Sequence, residues 1–339
     1  MRSQLRGRRV RGLLLGLAAA GTLVLAACSG PASDNSSTGG NTPAPNNGGA
    51  AASSGPLTVA VVTHGSSGDT FWNVVKNGAT DAGKQLGVTV NYSSDGDPGN
   101  QAKLIDNAVS QHVGGLVVSM ANPDALKTSI QNAVKAGIPV ITINSGQDKS
   151  AEFGALAHVG QDETIAGQQA GQKMKAAGKK KLLCVIHEAG NVGLNQRCDG
   201  ARQTFGDVKN LQVDINNPTD VESRIKGALQ ADPSIDAVLT LNPQIATSAV
   251  TAAKGANSKA MVATFDLNAD VAAAIKSGDV AFAVDQQQYE QGYLPIVMLK
   301  LYHDNANTVG GGKPVLTGPG FVDKSNVDKV AQYATRGTR

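Results

Sequence analysis

The feature that most constrains the fold is a rhythm. Short apolar, β-branched runs occur at 57–62, 88–92, 115–119, 140–144, 181–186, 211–215, 237–241, 261–265 and 280–284. Between them lie longer segments with apolar residues at helical spacing, as at 71–86, 101–111, 125–136, 163–177 and 245–254. A brief apolar run bounded by turn residues reads as a strand buried on both faces. A helical segment joining two such strands makes a parallel crossover. The expected fold class is therefore α/β, with parallel sheets covered on both sides. The rhythm also repeats: 57 to about 159 gives one five-strand half, and 181–285 another. A body of this length exceeds one ordinary core, so two similar Rossmann-like lobes with a cleft between them are expected.

Many of the strand runs end in a polar residue: Asn144, His187, Asn216, Asn242, Asp266 and Asp285. Taken singly, each reads as a helix cap or turn residue. Open α/β sheets, however, bind ligands beyond the carboxyl ends of their strands. As a set, these residues mark a candidate site.

Ahead of the body, Arg2, Arg6, Arg8, Arg9 and Arg11 precede an apolar stretch at 13–25 that is too short for a comfortable membrane span. It closes on Leu25-Ala26-Ala27-Cys28. This resembles a bacterial lipoprotein signal: residues 1–27 would be removed and Cys28 lipidated. Residues 28–56, rich in Ser, Gly, Asn, Pro and Ala with Asp34 as their charge, would form a flexible tether. The full chain carries 30 Lys+Arg against 27 Asp+Glu. Without the five signal arginines the balance becomes 25 against 27, a net charge of −2. No basic stripe with interleaved aromatics appears, so nucleic acid is not an expected partner. Cys184 and Cys198 remain, in an oxidising compartment. They are either buried free thiols or a disulfide. Cys184 falls inside a strand and Cys198 early in the following helix, which runs back along it, so a bond between them is predicted.

The segment VAVVTHGSSGDTFWNVVKNGA (59–79) places Asp69, Phe71 and Trp72 just beyond a strand end. Two large aromatics beside such a loop look badly placed for a core. A flat ring can stack on the C–H face of a sugar while Asp69 accepts from hydroxyls; the alternative is packing at a helix start. This segment resembles the ribose-binding-protein family of periplasmic sugar receptors. Further stretches match in order: GIPVITINSG (137–146), AHVGQDETIAGQQAG (157–171), NQRCDGA (195–201), AVLTLNPQIA (237–246), VATFD (262–266) and FAVDQQQYEQG (282–292). The resemblance spans 57–322. It implies a periplasmic binding protein type I fold, with two lobes joined by a three-strand hinge. Residues 57–160 plus 287–316 would form the first lobe, and 161–286 plus 317–339 the second.

The resemblance assigns Asp69, Phe71, Trp72, Asn144, Arg197, Asn242, Asp266 and Gln286 to ligand binding, with Arg197 gripping hydroxyls and Asp266 accepting from two of them. Planar bidentate side chains of these types suit a neutral polyol. His64 and Glu188 fall near the same cleft without a family counterpart and join the candidate set. His64 and His187 read equally as turn residues or ligand contacts. His158 is expected to follow a strand in a structural role, and His112 and His303 to face solvent on helices. Ser145 stands where the family often has arginine, and 218–221 lacks the family's second stacking aromatic, which departs from a ribose site.

The expected function is capture of a monosaccharide or related polyol by hinge closure, and its delivery to an ABC permease. The protein would act as a monomer held outside the cytoplasmic membrane by its lipid anchor, with no cofactor and no metal. The alternatives are a ligand-sensing subunit for a chemoreceptor or histidine kinase, or a sugar-acting enzyme. The sequence contains no G-x-S-x-G elbow, P-loop or H-E-x-x-H motif for catalysis.

Overall fold

The computed structural model describes residues 56–66 and 68–339. The signal segment, Cys28 and residues 28–55 of the tether lie outside the described residues.

The chain alternates strand and helix through β1 (Thr58–Thr63), α1 (Thr70–Leu86), β2 (Thr89–Ser94), α2 (Pro98–Ser110), β3 (Gly115–Ser119), α3 (Pro123–Lys135), β4 (Val140–Ile143), the short α4 (Gln147–Ser150) and β5 (Ala157–Gly160). It then crosses to α5 (Glu163–Ala176), β6 (Lys181–Ile186), α6 (Val192–Phe205), β7 (Asp207–Gln212), α7 (Pro218–Ala231), β8 (Ala237–Thr240), α8 (Pro243–Gly255), β9 (Met261–Phe265), α9 (Ala269–Ser277) and β10 (Phe282–Asp285). Last come α10 (Gln288–Asn305), β11 (Val315–Leu316), β12 (Gly320–Asp323) and α11 (Val327–Arg336).

The strands form two sheets of matching order, β11-β5-β4-β3-β1-β2 and β12-β10-β9-β8-β6-β7. The first is parallel throughout; in the second, β12 runs antiparallel to β10. Alternate residues of one strand feed different cores. Val59 and Val61 enter one apolar cluster while Ala60 and Val62 enter another. In β6, Leu183 and Val185 face one cluster, and Leu182, Cys184 and Ile186 the other. The two lobes are thus sheets buried on both faces. Three crossings join them: β5 to α5 through Gln161, β10 to α10 through Gln286, and β11 to β12 through Thr317.

Several expectations are corrected. The seventh strand is Asp207–Gln212 rather than 211–215. Helix α6 ends at Phe205, and Gly206, at φ 109°, turns the chain directly into an edge strand. Such a strand pairs on one side only, so it tolerates Asp207, Lys209 and Asn210. Asn216 therefore lies beyond the strand end. The strands β11 and β12 were not anticipated, being too short for a period to show. His158 sits inside β5, its Nδ1 3.0 Å from Thr142 Oγ1, rather than after a strand. His112 occupies an exposed turn after α2 at φ 52°, not a helix. Phe71 and Trp72 are buried within the first lobe's apolar cluster, so they serve as core residues as well as site candidates.

Candidate functional site

The facing ends of the two sheets meet around a small polar cavity. All ten candidate residues line it: His64, Asp69, Phe71, Trp72, Asn144, Glu188, Arg197, Asn242, Asp266 and Gln286. His187, Asn191, Leu194 and Leu241 complete the wall.

On the first lobe, Asp69 caps α1, its Oδ1 accepting from Phe71 N at 2.9 Å. The cap fixes where the helix starts and so aims Phe71 and Trp72. Trp72 meets Phe71 edge-on at 4.9 Å and His64 edge-on at 4.7 Å. Ser119 holds the His64 ring, with its Oγ 2.7 Å from Nδ1. Asn144 follows β4 at φ 62°. Its Nδ2 donates to Gln286 Oε1 at 3.2 Å, and Ser145 Oγ donates to its Oδ1 at 3.0 Å.

The second lobe repeats this plan. Asp266 follows β9 at φ 70°, the counterpart of Asn144 after β4. Left-handed backbone is uncommon outside glycine, and Asn and Asp bear it best. Its recurrence at matched positions means that both lobes aim a planar side chain into the cavity by one device. Asn268, not Asp266, caps α9, so the Asp266 carboxylate is free for the cavity and accepts from Gln286 Nε2 at 2.8 Å. Asn191 caps α6 as Asp69 caps α1.

Burial governs the charges here. It pushes the Asp69 carboxyl up to about 6, and the Asp266 carboxyl up to about 8 against the pull of Arg197. It holds His64 down to about 3 and His187 to about 4, so both rings are neutral at neutral pH. The 3.7 Å contact between His64 Nε2 and Glu188 is therefore not an ion pair there. Burial alone would lower Arg197, but the Glu163 and Asp266 carboxylates outweigh it and raise it. His187 Nδ1 is buried without a partner.

Arg197 differs from expectation. Its Nε and Nη2 donate to Glu163 Oε2 and Oε1 at 2.6 and 2.9 Å, so the forked edge foreseen for ligand hydroxyls is occupied. Nη1 donates to Leu241 O at 3.4 Å and lies 4.0 Å from Asp266 Oδ2. Glu163 and Asn191 were missing from the sequence-derived set, and His187, read there as either a turn residue or a ligand contact, lines the cavity. Asn191 was legible: GNVGLN (190–195) repeats the glycine-then-cap spacing of GDTFWN (68–73). Cys184 and Cys198, with Cα atoms 5.9 Å apart, form a disulfide that ties β6 to α6 behind this wall. Among the described residues, no group of His, Cys, Asp and Glu is arranged to hold a metal ion.

The lobes also touch directly. Asn191 Oδ1 accepts from Ser145 Oγ at 3.2 Å, Val192 N donates to Ala121 O at 3.0 Å, and Gln196 Nε2 donates to Asp148 at 2.9 Å. The cavity is thus closed over by both lobes.

Two hinged α/β lobes shut around a polar cavity with an aromatic wall define a solute-capturing binding protein. The chain belongs to the periplasmic binding protein domain family, which it matches over residues 59–306. That family consists of non-enzymatic, extracytoplasmic binding proteins. The chain is similar to the ribose import binding protein of Haemophilus influenzae, with 28% identity over 239 residues, 67% of this chain and 79% of that one. A carbohydrate transporter from Acidothermus cellulolyticus 11B, solved in complex with myo-inositol, superposes with a TM-score of 0.83 at 46% identity, covering 84% of this chain and 100% of that one. A periplasmic ribose ABC transporter from Conexibacter woesei gives a TM-score of 0.68 at 25% identity, covering 84% and 97%.

Proposed function

We propose that this protein captures a neutral ring polyol, a monosaccharide or a cyclitol such as myo-inositol, and hands it to an ABC permease. The observation that carries this reading is the donor and acceptor set converging from both lobes on one cavity. Asp69, Asn144, Asn242, Asp266 and Gln286 offer planar polar groups, and Phe71 and Trp72 an apolar wall. A polyol presents hydroxyls around its rim and C–H bonds on its faces, which is the complement of that lining. The solved relative with bound myo-inositol favours a six-membered ring. Binding to both lobes at once favours the closed form over the open one, so ligand drives closure. The roles of the ten candidate residues belong to this reading, as do the division of the chain into lobes at 160/161, 286/287 and 316/317, a monomeric state, and a lipid anchor on Cys28.

Thermal shift against myo-inositol, D-ribose, D-xylose, D-arabinose and D-glucose tests the ligand class. A ligand at about 100 times its Kd adds ~2.7 kcal/mol of stability. No shift with any of the five would count against the reading. For the anchor, mass spectrometry of the membrane fraction should find diacylglyceryl-modified Cys28 as the first residue, and Cys28→Ser should release the protein from the membrane.

A further inference from the structure

Glu163 opens α5 just after the first crossing and is 4% exposed. A carboxylate so far from water needs partners. It has them in the Arg197 Nε and Nη2 donors and in Gln161 Nε2, which donates to Oε2 at 2.9 Å. Backbone contact fixes the arrangement. A Cβ on Gly167 would lie 2.1 Å from Arg197 O, and one on Gly200 2.3 Å from Thr164 O, so only glycines let α5 and α6 come this close. The guanidinium also stacks 4.5 Å over the Phe265 ring. The paired N–H edge that fits a carboxylate or phosphate therefore faces Glu163 and not the cavity.

The geometry points to Glu163 as the residue that makes this site select uncharged ring polyols against carboxylated or phosphorylated ones, an inference that rests on the polyol reading above. Glu163 turns the Arg197 fork away and cancels its charge. The carboxyl groups left facing a ligand are those of Asp69, Asp266 and Glu188, and none of them attracts an anion. Glu163 does not line the cavity. It acts through Arg197 and is a positioning residue.

The test is calorimetric titration of the full chain with myo-inositol and D-glucose as neutral probes and D-glucuronate as the anionic one. It compares wild type with Glu163→Gln, which loses the charge, and Glu163→Asp, which keeps it. The expected result is that Glu163→Gln raises the glucuronate-to-neutral affinity ratio at least about tenfold. Glu163→Asp should keep the wild-type ratio even where all affinities fall, a rescue that a purely structural role would not produce. An unchanged ratio in a folded Glu163→Gln protein, or an equal rise in Glu163→Asp, overturns the inference. Should Glu163→Gln fail to fold, Glu163→Leu with Arg197→Met removes the pair together and leaves no fork to expose. Its ratio should stay within about threefold of wild type, and a tenfold rise there overturns the inference as well. A wild type that binds neither of these neutral probes nor any of the other three sugars defeats the polyol reading and this inference with it. A neutral probe bound with no change of ratio defeats only this inference.

Discussion

Asn242 Nδ2 lies 3.3 Å from Asp69 Oδ1, a hydrogen bond between residues 173 positions apart that joins the helix cap of one lobe to the strand end of the other. Asn242 also caps α8, through Gln244 N at 2.8 Å. Each residue thus fixes a helix start in its own lobe and reaches across the cavity. Opening the lobes breaks the bond between them but neither cap, so the site can separate into two preformed halves. A ligand hydroxyl placed between the two would replace their mutual contact.

Trp72 is the one tryptophan in the chain, so intrinsic fluorescence reports on the cavity wall directly. Binding of myo-inositol should change its intensity or emission maximum. Because the ring is also a core residue, Trp72→Ala should cost ~3–5 kcal/mol in stability and weaken binding in addition. Denaturant melts with parallel titrations separate the two effects. A destabilised variant with unchanged affinity would leave Trp72 a packing residue alone.

The Cys184–Cys198 bond closes a loop that holds Asn191 and Arg197. For a loop of this length, cross-linking contributes ~3 kcal/mol through the unfolded chain. Both sulfurs lie in the second lobe's core. The double variant Cys184→Ala/Cys198→Ala should therefore lose about that much in urea unfolding. Peptide mapping under non-reducing conditions checks the bond itself; two free thiols there would contradict it.

Stability should depend on pH through Asp266. Its carboxyl rises from 3.8 to about 8 on burial, so the native protein holds a proton that the unfolded chain releases. That situation favours the native state below about pH 4; the advantage is lost steadily as pH climbs from there toward 8 and levels off above it. Between pH 6.5 and 8.5, His64 and His187, held below 6.5 by burial, stay neutral in the native protein; their titration near 6.5 in the unfolded chain is common to wild type and Asp266→Asn and cancels in the comparison. Asp69, rising to about 6, has largely ionised there. Arg197, Glu163 and Asp285 are the other charges acting on Asp266. In that window the Tm of ligand-free wild type should fall relative to Asp266→Asn. Curves that stay parallel would contradict the buried-carboxyl account.

Much of this was legible before the structure, for identifiable reasons. Strands buried on both faces leave a period that survives in sequence, so nearly all of the parallel sheet could be read. The cavity residues Asn144, Asn242 and Asp266 stand at the ends of those strands, and the pattern delivered them too. What failed to show was whatever local pattern does not carry. The edge strand β7 is polar because it pairs on one side only, and β11 spans two residues. Glu163 looked like an ordinary first-turn acid of α5. Its pairing with Arg197 depends on a helix crossing between Gly167 and Gly200 that no single segment reveals. Asn191 could have been found by aligning the two halves of the chain with each other.

The central claim is that both lobes grip one neutral polyol through strand-end polar groups. Asp266 tests it most directly, since it lies 2% exposed at the cavity, caps no helix and accepts from Gln286 at the second crossing. Removing a buried hydrogen-bonding group leaves its partners unsatisfied, at about 1–3 kcal/mol each. Calorimetric titration of myo-inositol, or the strongest stabiliser among the other four sugars, into wild type and Asp266→Ala should therefore show one site in wild type and at least about a tenfold weaker one in the variant, with the fold retained by circular dichroism. Wild-type affinity in a well-folded Asp266→Ala protein would contradict the account.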